Sequence, residues 1–392
     1  MPAREFQSLP KGVYTIRQAF GKKSDKKSDK TTNYHLTNVV NRNKIKLIKR
    51  LQDCEGLDMA ATINDVAKRA GVSIATVSRV IHGAGNVNSE LTRKVQESIE
   101  ELRYVPNSIA QSLKQNCSKM IGITASDLSV AFFPQIVKGV EKVFLPRGYA
   151  TIVSNTYDES LNERTILNHM SARRVDALLV NSTGQNEEML ENIARSKPVI
   201  FYDRRPVKRV FPAVYADKKR AMYVSLEHLA KMGHKRVMLA SGPRGLNSNY
   251  DRYIGFQRYI FDHDLDPSMF SFRFGTFSFE EGVETMKAIM AMKERPTAVV
   301  TGSIAITAGI IDYCRTHGIS IPDDMAIVSS GNFRYGDALD SGLTYLDDQS
   351  KEISTAVVDL LERFLNGEKV ERDFECVLPP VLHESRSTGA AV

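Results

Sequence analysis

Long apolar runs, an export signal and closely spaced cysteines are all absent from this sequence. No stretch of about 18 uninterrupted apolar residues occurs, which excludes a membrane-spanning helix. The N-terminus has no apolar run with a small-residue cleavage site, so we expect a cytoplasmic protein with no membrane partner. No Cys-x-x-Cys pair occurs, which argues against a zinc site or a disulfide framework and suits a reducing compartment. The cysteines are Cys54, Cys117, Cys314 and Cys376.

Motifs of the common enzyme classes are missing as well. There is no Gly-x-Ser-x-Gly, P-loop or His-Glu-x-x-His motif, and the Gly242–Gly245 run is too short for a dinucleotide fingerprint. Four histidines lack the spacing of metal ligands, and we interpret them as surface or locally hydrogen-bonded side chains: His169, His228, His234 and His263. We therefore predict no catalytic residue, metal or cofactor.

The net charge of +7 is confined to the N-terminus. Residues 1–58 hold 13 basic and 6 acidic side chains, whereas residues 59–392 hold 40 of each. The polar near-repeat Lys22–Lys30 cannot bury apolar surface, so we expect this leader to be disordered. Any DNA binding by the rest of the chain must depend on positioned contacts.

Two interpretations of the leader stay open. Glu55-Gly56 must be encoded by a purine-rich hexamer shortly before Met59, as a ribosome-binding sequence would be. We therefore favour Met59 as the native start. The alternative is a basic arm in which Asn43–Leu51 contacts DNA phosphates or another anionic surface. Sequencing the N-terminus of the native protein distinguishes them, because peptides upstream of Met59 would exclude the first interpretation.

The segment Thr62–Ile81 predicts two short helices joined by a glycine turn. Thr62, followed three residues later by Asp65, can cap the first helix. Gly71 suits a tight left-handed turn, and Ser73 can cap the second helix. The apolar positions that we expect to face inward are Val66, Ala70, Val77 and Val80 or Ile81.

Outward side chains of the second helix are expected to meet base edges in the major groove of DNA. Arg79 can bond a guanine bidentately, whereas Ile74 and Ala75 can make only apolar contacts, for instance to a thymine methyl. Hydroxyl groups can bind phosphates. The predicted DNA contacts of this segment are Thr62, Ser73, Ile74, Ala75, Thr76, Ser78 and Arg79. On spacing alone, an ordinary helical hairpin remains the alternative.

A third helix and a second motif narrow the interpretation. Apolar residues at helical spacing predict a helix over Ser89–Leu102, and Tyr104–Leu113 reads Y-V-P-N-S-I-A-Q-S-L. Together with D-V-A-x-x-A-G-V-S-x-x-T-V-S-R-V at Asp65–Val80, this pattern resembles the lactose-repressor (LacI/GalR) family of bacterial transcriptional regulators. The resemblance runs from about Thr62 to Thr388, nearly the whole chain after the leader.

The resemblance implies that Asn107–Lys114 is a hinge helix that folds when it pairs with its dimer mate on operator DNA. A helix this short is marginal alone in water, which makes folding on DNA reasonable. Ala110 is small enough to let two hinge helices approach, and Leu113 would be the apolar wedge that kinks the minor groove. Asn107, Ala110 and Leu113 are therefore further predicted DNA contacts.

From Lys119 onward, apolar β-rich runs alternate with helix-sized segments, which predicts parallel sheets and, at this length, two α/β lobes. The runs are Met120–Thr124, Thr151–Ser154, Ala177–Val180, Pro198–Tyr202, Arg236–Ala240, Ala298–Thr301 and Ala326–Ser329. The resemblance implies an all-α helix-turn-helix headpiece followed by a two-lobed α/β effector domain like periplasmic binding proteins.

We expect the chain to cross between the lobes near residues 217, 347 and 378. The expected segments are the leader 1–58, the DNA-binding domain 59–105, the hinge and linker 106–118, and the effector and dimerisation domain 119–388. Lobe 1 would comprise about 119–217 and 347–377, and lobe 2 about 218–346 and 378–388.

Ligands of open α/β sheets sit beyond the carboxyl ends of the strands. Asp127, Phe132, Phe133 and Asp203 occupy such positions. By resemblance, Arg252 aligns with the arginine that anchors the effector, since its fork can bind sugar hydroxyls or a carboxylate.

Phe277 falls where relatives place an aromatic ring over the ligand, with a core aromatic as the alternative. Ser303-Ile304 stands where the family usually has Asn-Asp. Gly331 replaces the aspartate that commonly accepts hydrogen bonds from sugar hydroxyls, and Asn332 can substitute only partly. Phe277, Ser303 and Asn332 complete the predicted effector site, and the two departures argue against a standard free sugar.

We therefore predict a transcriptional repressor that binds double-stranded operator DNA as a homodimer and is controlled by a small-molecule effector. The effector would be a sugar, a sugar phosphate or another metabolite. Alternatives are control by a corepressor protein, or a solute-binding protein with a start like a helix-turn-helix. The family's tetramers carry an extra leucine-rich C-terminal helix; because this chain ends soon after Thr388, we expect a dimer.

Overall fold

The computed structural model describes residues 61–81, 83, 87–105, 117–333 and 342–390. The chain divides into two compact units between Pro106 and Asn107. The first unit is the helical headpiece, and the second, here named the sensing unit, contains two β-sheets. In the described residues, no helix is long and apolar enough to span a membrane.

Three helices make up the described headpiece: α1 (Ile63–Ala70), α2 (Ile74–Ile81) and α3 (Ser89–Glu101). Thr62 and Asp65 form a reciprocal capping box, in which the Thr62 N–H donates to the Asp65 carboxylate at 2.8 Å. Gly71 has a left-handed φ of 67°, which a side chain would disfavour. The Ser73 Oγ accepts a hydrogen bond from the Thr76 N–H at 3.2 Å. The predicted caps and glycine turn are confirmed.

The headpiece core is small. Val66, Val77 and Val95, one from each helix, are fully buried and lie in one apolar cluster. Residues that pack around them are only partly buried: Ile63, Ala70, Val72, Val80, Ile81, Ile99, Leu102 and Tyr104. Because a unit of this size buries little apolar area, each central valine contributes a large share of its stability.

Lobe 1 of the sensing unit is a parallel sheet with helices on its faces. Its strands are β1 (Met120–Ala125), β2 (Ala150–Asn155), β3 (Ala177–Val180), β4 (Val199–Tyr202), β5 (Ala213–Ala216) and β11 (Glu375–Leu378), in the spatial order β11-β5-β4-β3-β1-β2. All neighbouring strands are parallel. Its helices are α4 (Phe132–Phe144), α5 (Ser160–Ala172), α6 (Glu187–Ala194) and α11 (Ser350–Leu365).

Lobe 2 repeats this arrangement. Its strands are β6 (Val237–Ser241), β7 (Phe270–Phe274), β8 (Ala298–Thr301), β9 (Ala326–Ser330), β10 (Thr344–Leu346) and β12 (Leu382–His383), ordered β12-β10-β9-β8-β6-β7. Only the short β12 runs antiparallel to its neighbour. Its helices are α7 (Lys218–Lys231), α8 (Asn247–Asp262), α9 (Phe279–Ala291) and α10 (Ile304–His317).

The chain passes between the lobes in three places, after β5, after β10 and after β11. The carboxyl ends of the parallel strands in both lobes therefore open toward a shared cleft. Helix α8 is fixed close to α7, because a Cβ atom at Gly255 would lie 2.1 Å from the Lys219 carbonyl oxygen. This tight contact matters for the site, since α8 also carries Arg252.

Two of the interpreted histidines are buried rather than on the surface. His228 bonds the Thr388 hydroxyl at 2.8 Å, and His234 bonds the Thr297 hydroxyl at 2.9 Å. Both therefore fit the second of the two interpretations given from the sequence, that of hydrogen-bonded side chains, and not the first, that of surface side chains. Within the described residues, no group of histidine, cysteine or acidic side chains could hold a metal ion.

Candidate functional site

The exposed face of α2 carries the side chains predicted to read DNA. Ile74 is 49% exposed, and Ala75 and Arg79 are also exposed, four positions apart on one face of the helix. The opposite face of the helix packs on the core and holds the helix in place, so the exposed side chains at its start are available for contacts. The arrangement can offer an apolar contact and a guanidinium to a base edge.

The hydroxyl residues of this segment are partly engaged in capping. The Ser73 and Thr76 hydroxyls lie 2.9 Å apart, and the Thr62 hydroxyl donates to the Asp65 carboxylate at 2.7 Å. Ser78 is half-buried on α2. The predicted hinge contacts Asn107, Ala110 and Leu113 lie outside the described residues.

A cavity of about 370 Å³ lies between the two lobes. All eight predicted effector residues line it: Asp127, Phe132, Phe133, Asp203, Arg252, Phe277, Ser303 and Asn332. Its size is in the range of pockets that enclose a small metabolite. The structure thus brings together side chains that are up to about 200 positions apart in the sequence.

On the lobe 1 side, the charges of the cavity are paired. Arg204 forms a two-pronged ion pair with Asp158, with N–O distances of 2.6 and 3.0 Å. Asp203 has a left-handed φ of 62° and accepts a hydrogen bond from the Asn181 amide at 3.0 Å. The Lys218 ammonium lies 3.3 Å from the Asp203 carboxylate.

These cations determine the ionisation of Asp203. Burial alone would raise the pKa of this carboxyl, but the charges of Lys218, Arg204 and Arg252 outweigh burial and lower it. Asp203 is therefore a carboxylate that is held in place from several sides. Its oxygens keep lone pairs beyond these contacts, so they can still accept a hydrogen bond from a ligand.

On the lobe 2 side, Arg252 is buried, and among the described residues no carboxylate lies within ion-pair distance of it, although Asp203 acts on it from farther away. Arg252 is 7% exposed, and its Nη1 donates to the Asn249 Oδ1 at 3.0 Å. Its Nε has no hydrogen-bond partner. Burial lowers the pKa of Arg252 to about 10, against the opposing effect of Asp203. A buried cation that lines a cavity and has no carboxylate in contact is suited to anchor an anionic ligand.

The carboxylates around the cavity differ from Arg252 in this respect. Asp127 accepts from the Ser129 N–H at 2.8 Å, and Asp348 accepts from the Ser350 N–H at 2.9 Å. Asp347 accepts from the Gln349 N–H at 2.7 Å. Each lining acid has at least one protein donor, whereas the buried charge of Arg252 has no carboxylate within ion-pair distance in the described residues, which favours a ligand with an acidic group.

The apolar wall of the cavity is held by aromatic packing. Phe132 contacts Phe133 edge to face at 5.2 Å between ring centroids, and it stacks on Tyr202 at 6.3 Å. Phe277 lies directly over Gly242, where a Cβ atom would come within 2.5 Å of its ring. Phe277 also packs against the lobe 2 core. Phe277 therefore lines the cavity and also packs on the core, and its role over a ligand stays a prediction.

The two departures from the family pattern lie at strand ends beside the cavity. Ser303 follows β8 and caps α10, because its hydroxyl accepts from the Ile306 N–H at 3.3 Å. Gly331 follows β9 with a φ of 91°, and the neighbouring Asn332 Oδ1 accepts from the Phe333 N–H. A glycine in place of a carboxylate removes an acceptor from this wall.

Sequence reasoning missed several residues that shape the site. Asn249 positions Arg252 from one turn earlier on α8, and it also accepts from the Ser241 hydroxyl at 2.8 Å. The spacing of three residues on a helix was an available signal for this contact. No local sequence pattern marked the other residues, because their ion pairs join positions that are distant in sequence. Arg204 pairs with Asp158, and Lys218, which comes just after a crossing between the lobes, pairs with Asp203.

A helix-turn-helix unit on the same chain as a two-lobed domain with a cavity between its lobes defines a class of protein. It is a DNA-binding regulator that responds to a small molecule. The exposed helix face can contact DNA, and the enclosed cavity can hold a ligand.

Comparison with known proteins identifies the family. A model for bacterial regulatory proteins of the lacI family matches residues 62–107, and one for a periplasmic binding protein-like domain matches residues 226–388. The chain is 31% identical over 333 residues to the HTH-type transcriptional repressor PurR of Klebsiella pneumoniae (strain 342), covering 84% of this chain and 97% of that protein. It is 29% identical over 315 residues to catabolite control protein A of Priestia megaterium, covering 80% of this chain and 95% of that protein.

The fold matches solved structures of similar architecture. The lac repressor dimer bound to operator and an anti-inducer superposes with a TM-score of 0.73 at 24% identity, covering 85% of this chain and all of that chain. The chain belongs to the lacI family of bacterial regulatory proteins, and it is a DNA-binding transcriptional regulator with an effector domain. The expected family, fold class and regulatory function are confirmed.

Proposed function

We propose that the chain represses transcription as a homodimer on operator DNA and that a small anionic metabolite in the interlobe cavity controls its DNA affinity. The exposed α2 face would read each half-site, with Ile74, Ala75 and Arg79 at base edges. Asn107, Ala110 and Leu113 would contact the minor groove between half-sites. Relatives named as a dimer on operator and as repressors support this assignment.

Arg252 is the observation that carries the effector assignment. Its guanidinium is buried and lines the cavity, and among the described residues no carboxylate lies within ion-pair distance of it, whereas Arg204 in the same lining is paired with Asp158. A carboxylate or phosphate group would supply the missing partner as a charge-assisted hydrogen bond. The loss of the usual carboxylate at Gly331 removes a partner for sugar hydroxyls and supports the same conclusion. Phe132 and Phe277 would cover an apolar face of the ligand.

Effector binding would act on DNA affinity by changing the arrangement of the lobes. Such coupling typically amounts to about 1–3 kcal/mol between two sites. We infer a cytoplasmic location and no catalytic activity, since the relatives are transcriptional regulators. We also propose the division into a DNA-binding domain at 59–105, a hinge at 106–118 and an effector domain at 119–388.

Thermal unfolding with a panel of compounds tests the effector class. The full chain is heated with free sugars, sugar phosphates and small carboxylates, because a ligand that binds only the folded state raises its stability. We expect a phosphate or carboxylate compound to raise the melting temperature, and Arg252→Met to abolish that rise. The matched control is Arg244→Ala, an exposed arginine nearby in lobe 2, which should keep it. A rise with uncharged sugars alone, or one that survives Arg252→Met, contradicts the anionic effector.

A further inference from the structure

An ion pair joins the two lobes beside Arg204 and Arg252, which line the cavity. The Arg205 guanidinium, which follows β4 in lobe 1, donates to both oxygens of Asp251 on α8 in lobe 2, at 2.7 Å from Nε and 3.0 Å from Nη2. The Arg205 side chain is 26% exposed and that of Asp251 is 8% exposed. Its hydrogen bond with Asp251 is the main reason that the pKa of Arg205 is raised. Two parallel bonds in a partly buried site make this contact strong and directional.

The lobe 1 partner is held from both sides. The preceding residue, Arg204, is anchored by its two-pronged pair with Asp158. The buried Glu187 carboxylate accepts from the backbone N–H groups of Val207 and Lys208, at 2.9 Å for Lys208. The loop that carries Arg205 is therefore positioned before it meets lobe 2, so little conformational entropy remains to be lost in forming the pair.

The lobe 2 partner is tied to the cavity. Asp251 directly precedes Arg252 on α8, and the Asn247 amide on the same helix donates to the Arg205 carbonyl oxygen at 3.2 Å. Lys219 lies 3.6 Å from Asp251 within lobe 2. Hydrogen bonds thus cross the cleft in both directions, and any opening of the lobes must break them while moving the helix that carries Arg252.

We propose that Arg205 and Asp251 form an interlobe latch, a pair of positioning residues that holds the lobes together around the cavity. Opening the cleft by a few ångströms would separate the pair and leave Asp251 with the looser contact to Lys219 at 3.6 Å. The latch favours the closed arrangement before any ligand enters, which lowers the cost of organising the site. The inference concerns the sensing unit of the regulator, but it depends neither on the effector class nor on DNA binding.

Interlobe distances in the ligand-free full chain test the latch. Spin labels at Glu188→Cys and Lys235→Cys, both exposed and one in each lobe, are measured by pulsed electron paramagnetic resonance. Cys54, Cys117 and Cys376 are first replaced by serine, and the buried Cys314 is kept. The variants are Arg205→Ala, Asp251→Asn and the double variant. Arg209→Ala is the matched control, because the ion pair of this exposed arginine of the same loop, with Glu375 at 4.0 Å, lies within lobe 1.

We expect one narrow distance distribution for the parent and for Arg209→Ala, and a broader or shifted distribution for each single variant. The double variant should match the single variants, because both remove the same pair. Arg205→Lys should be intermediate, since lysine keeps the charge but loses the fork. Unchanged distributions in Arg205→Ala and Asp251→Asn overturn the latch, as do single-variant changes that add in the double variant.

Discussion

The headpiece and the sensing unit expose and bury their functional side chains in opposite ways. The headpiece presents Ile74 and Arg79 on the surface above a core of a few small residues. The sensing unit encloses Arg252, Asp203 and their partners between two lobes with extensive cores. Substitutions at the two sites should therefore have different consequences. At the exposed site they should lower DNA affinity alone, whereas at the buried site they should also lower the free energy of unfolding.

The largest expected effect is on the buried charges of lobe 1. Asp158→Ala leaves the Arg204 guanidinium buried without its carboxylate partner, which we expect to cost about 3–5 kcal/mol in the free energy of unfolding of the sensing unit. Chemical denaturation followed by hydrogen exchange in lobe 1 measures this. The control is Glu191→Ala, whose pair with Lys208 is solvent-exposed and should contribute no more than about 1 kcal/mol. Equal losses in the two variants would remove the contrast between buried and exposed charges.

The next effect is on the headpiece core. Val77→Ala removes two methyl groups from a fully buried position, and we expect a loss of roughly 1.5–3 kcal/mol. In a unit with so few buried residues, this loss should unfold the headpiece and abolish DNA binding while the sensing unit melts as before. Hydrogen exchange resolved for each unit is the measurement. Val105→Ala, at an exposed valine, should change neither unit, and DNA binding retained by Val77→Ala would show that the small core is not limiting.

A smaller effect is expected at the DNA-reading surface. Arg79→Ala should weaken binding to a cognate duplex by about 1–3 kcal/mol, because a bidentate contact to a guanine is lost. The melting temperature should stay at the parent value, since Arg79 is exposed. Fluorescence anisotropy and calorimetry separate the two quantities. Arg93→Ala on α3, whose partner Glu97 is on the same helix, is the control that should leave both unchanged. A lower melting temperature with unchanged DNA affinity would show that Arg79 supports the fold and does not contact DNA.

The smallest effect is a pH dependence of the headpiece. Hydrogen bonds from Thr62 lower the pKa of Asp65 below its usual 3.8. Since the folded pKa is depressed, the stabilisation is present above the unfolded pKa and is lost as the pH falls below it. Headpiece exchange rates should therefore rise in acid, and Thr62→Val should reduce that rise by removing the capping hydroxyl. If the exchange rates of the parent chain and of Thr62→Val rise equally in acid, the capping box does not control the pH dependence.

The sequence predicted the features that have a local pattern. The headpiece caps follow from Thr62, Asp65 and Gly71, because capping depends on neighbouring residues alone. Seven strands were visible as apolar runs; six of them are largely buried because parallel strands are covered on both faces, and the seventh, the edge strand β2, is at most half-buried. The cavity residues at strand ends were predictable since the carboxyl edge of a parallel sheet is shared by all of its strands.

The features that the sequence did not predict are short or half-buried strands and contacts between residues distant in sequence. Strand β7 at Phe270–Phe274 lies at a sheet edge, is only half-buried and includes Arg273, so it has no apolar run. Strands β10 and β12 are only three and two residues long, and the edge strand β11 has no fully buried residue and begins with Glu375, so none of the three forms an apolar run. The latch joins Arg205 and Asp251 across 46 positions, and no local pattern marks an ion pair between lobes.

Selection from a random library of duplex DNA tests the central claim, that the exposed α2 face reads operator DNA as part of a symmetric dimer. The full chain is incubated with the library, and the bound duplexes are sequenced. We predict an inverted repeat in which each half-site contains a G·C pair whose preference is lost in Arg79→Ala. Enrichment of no sequence, of a single unsymmetrical site, or of a repeat that Arg79→Ala leaves unchanged would contradict the account.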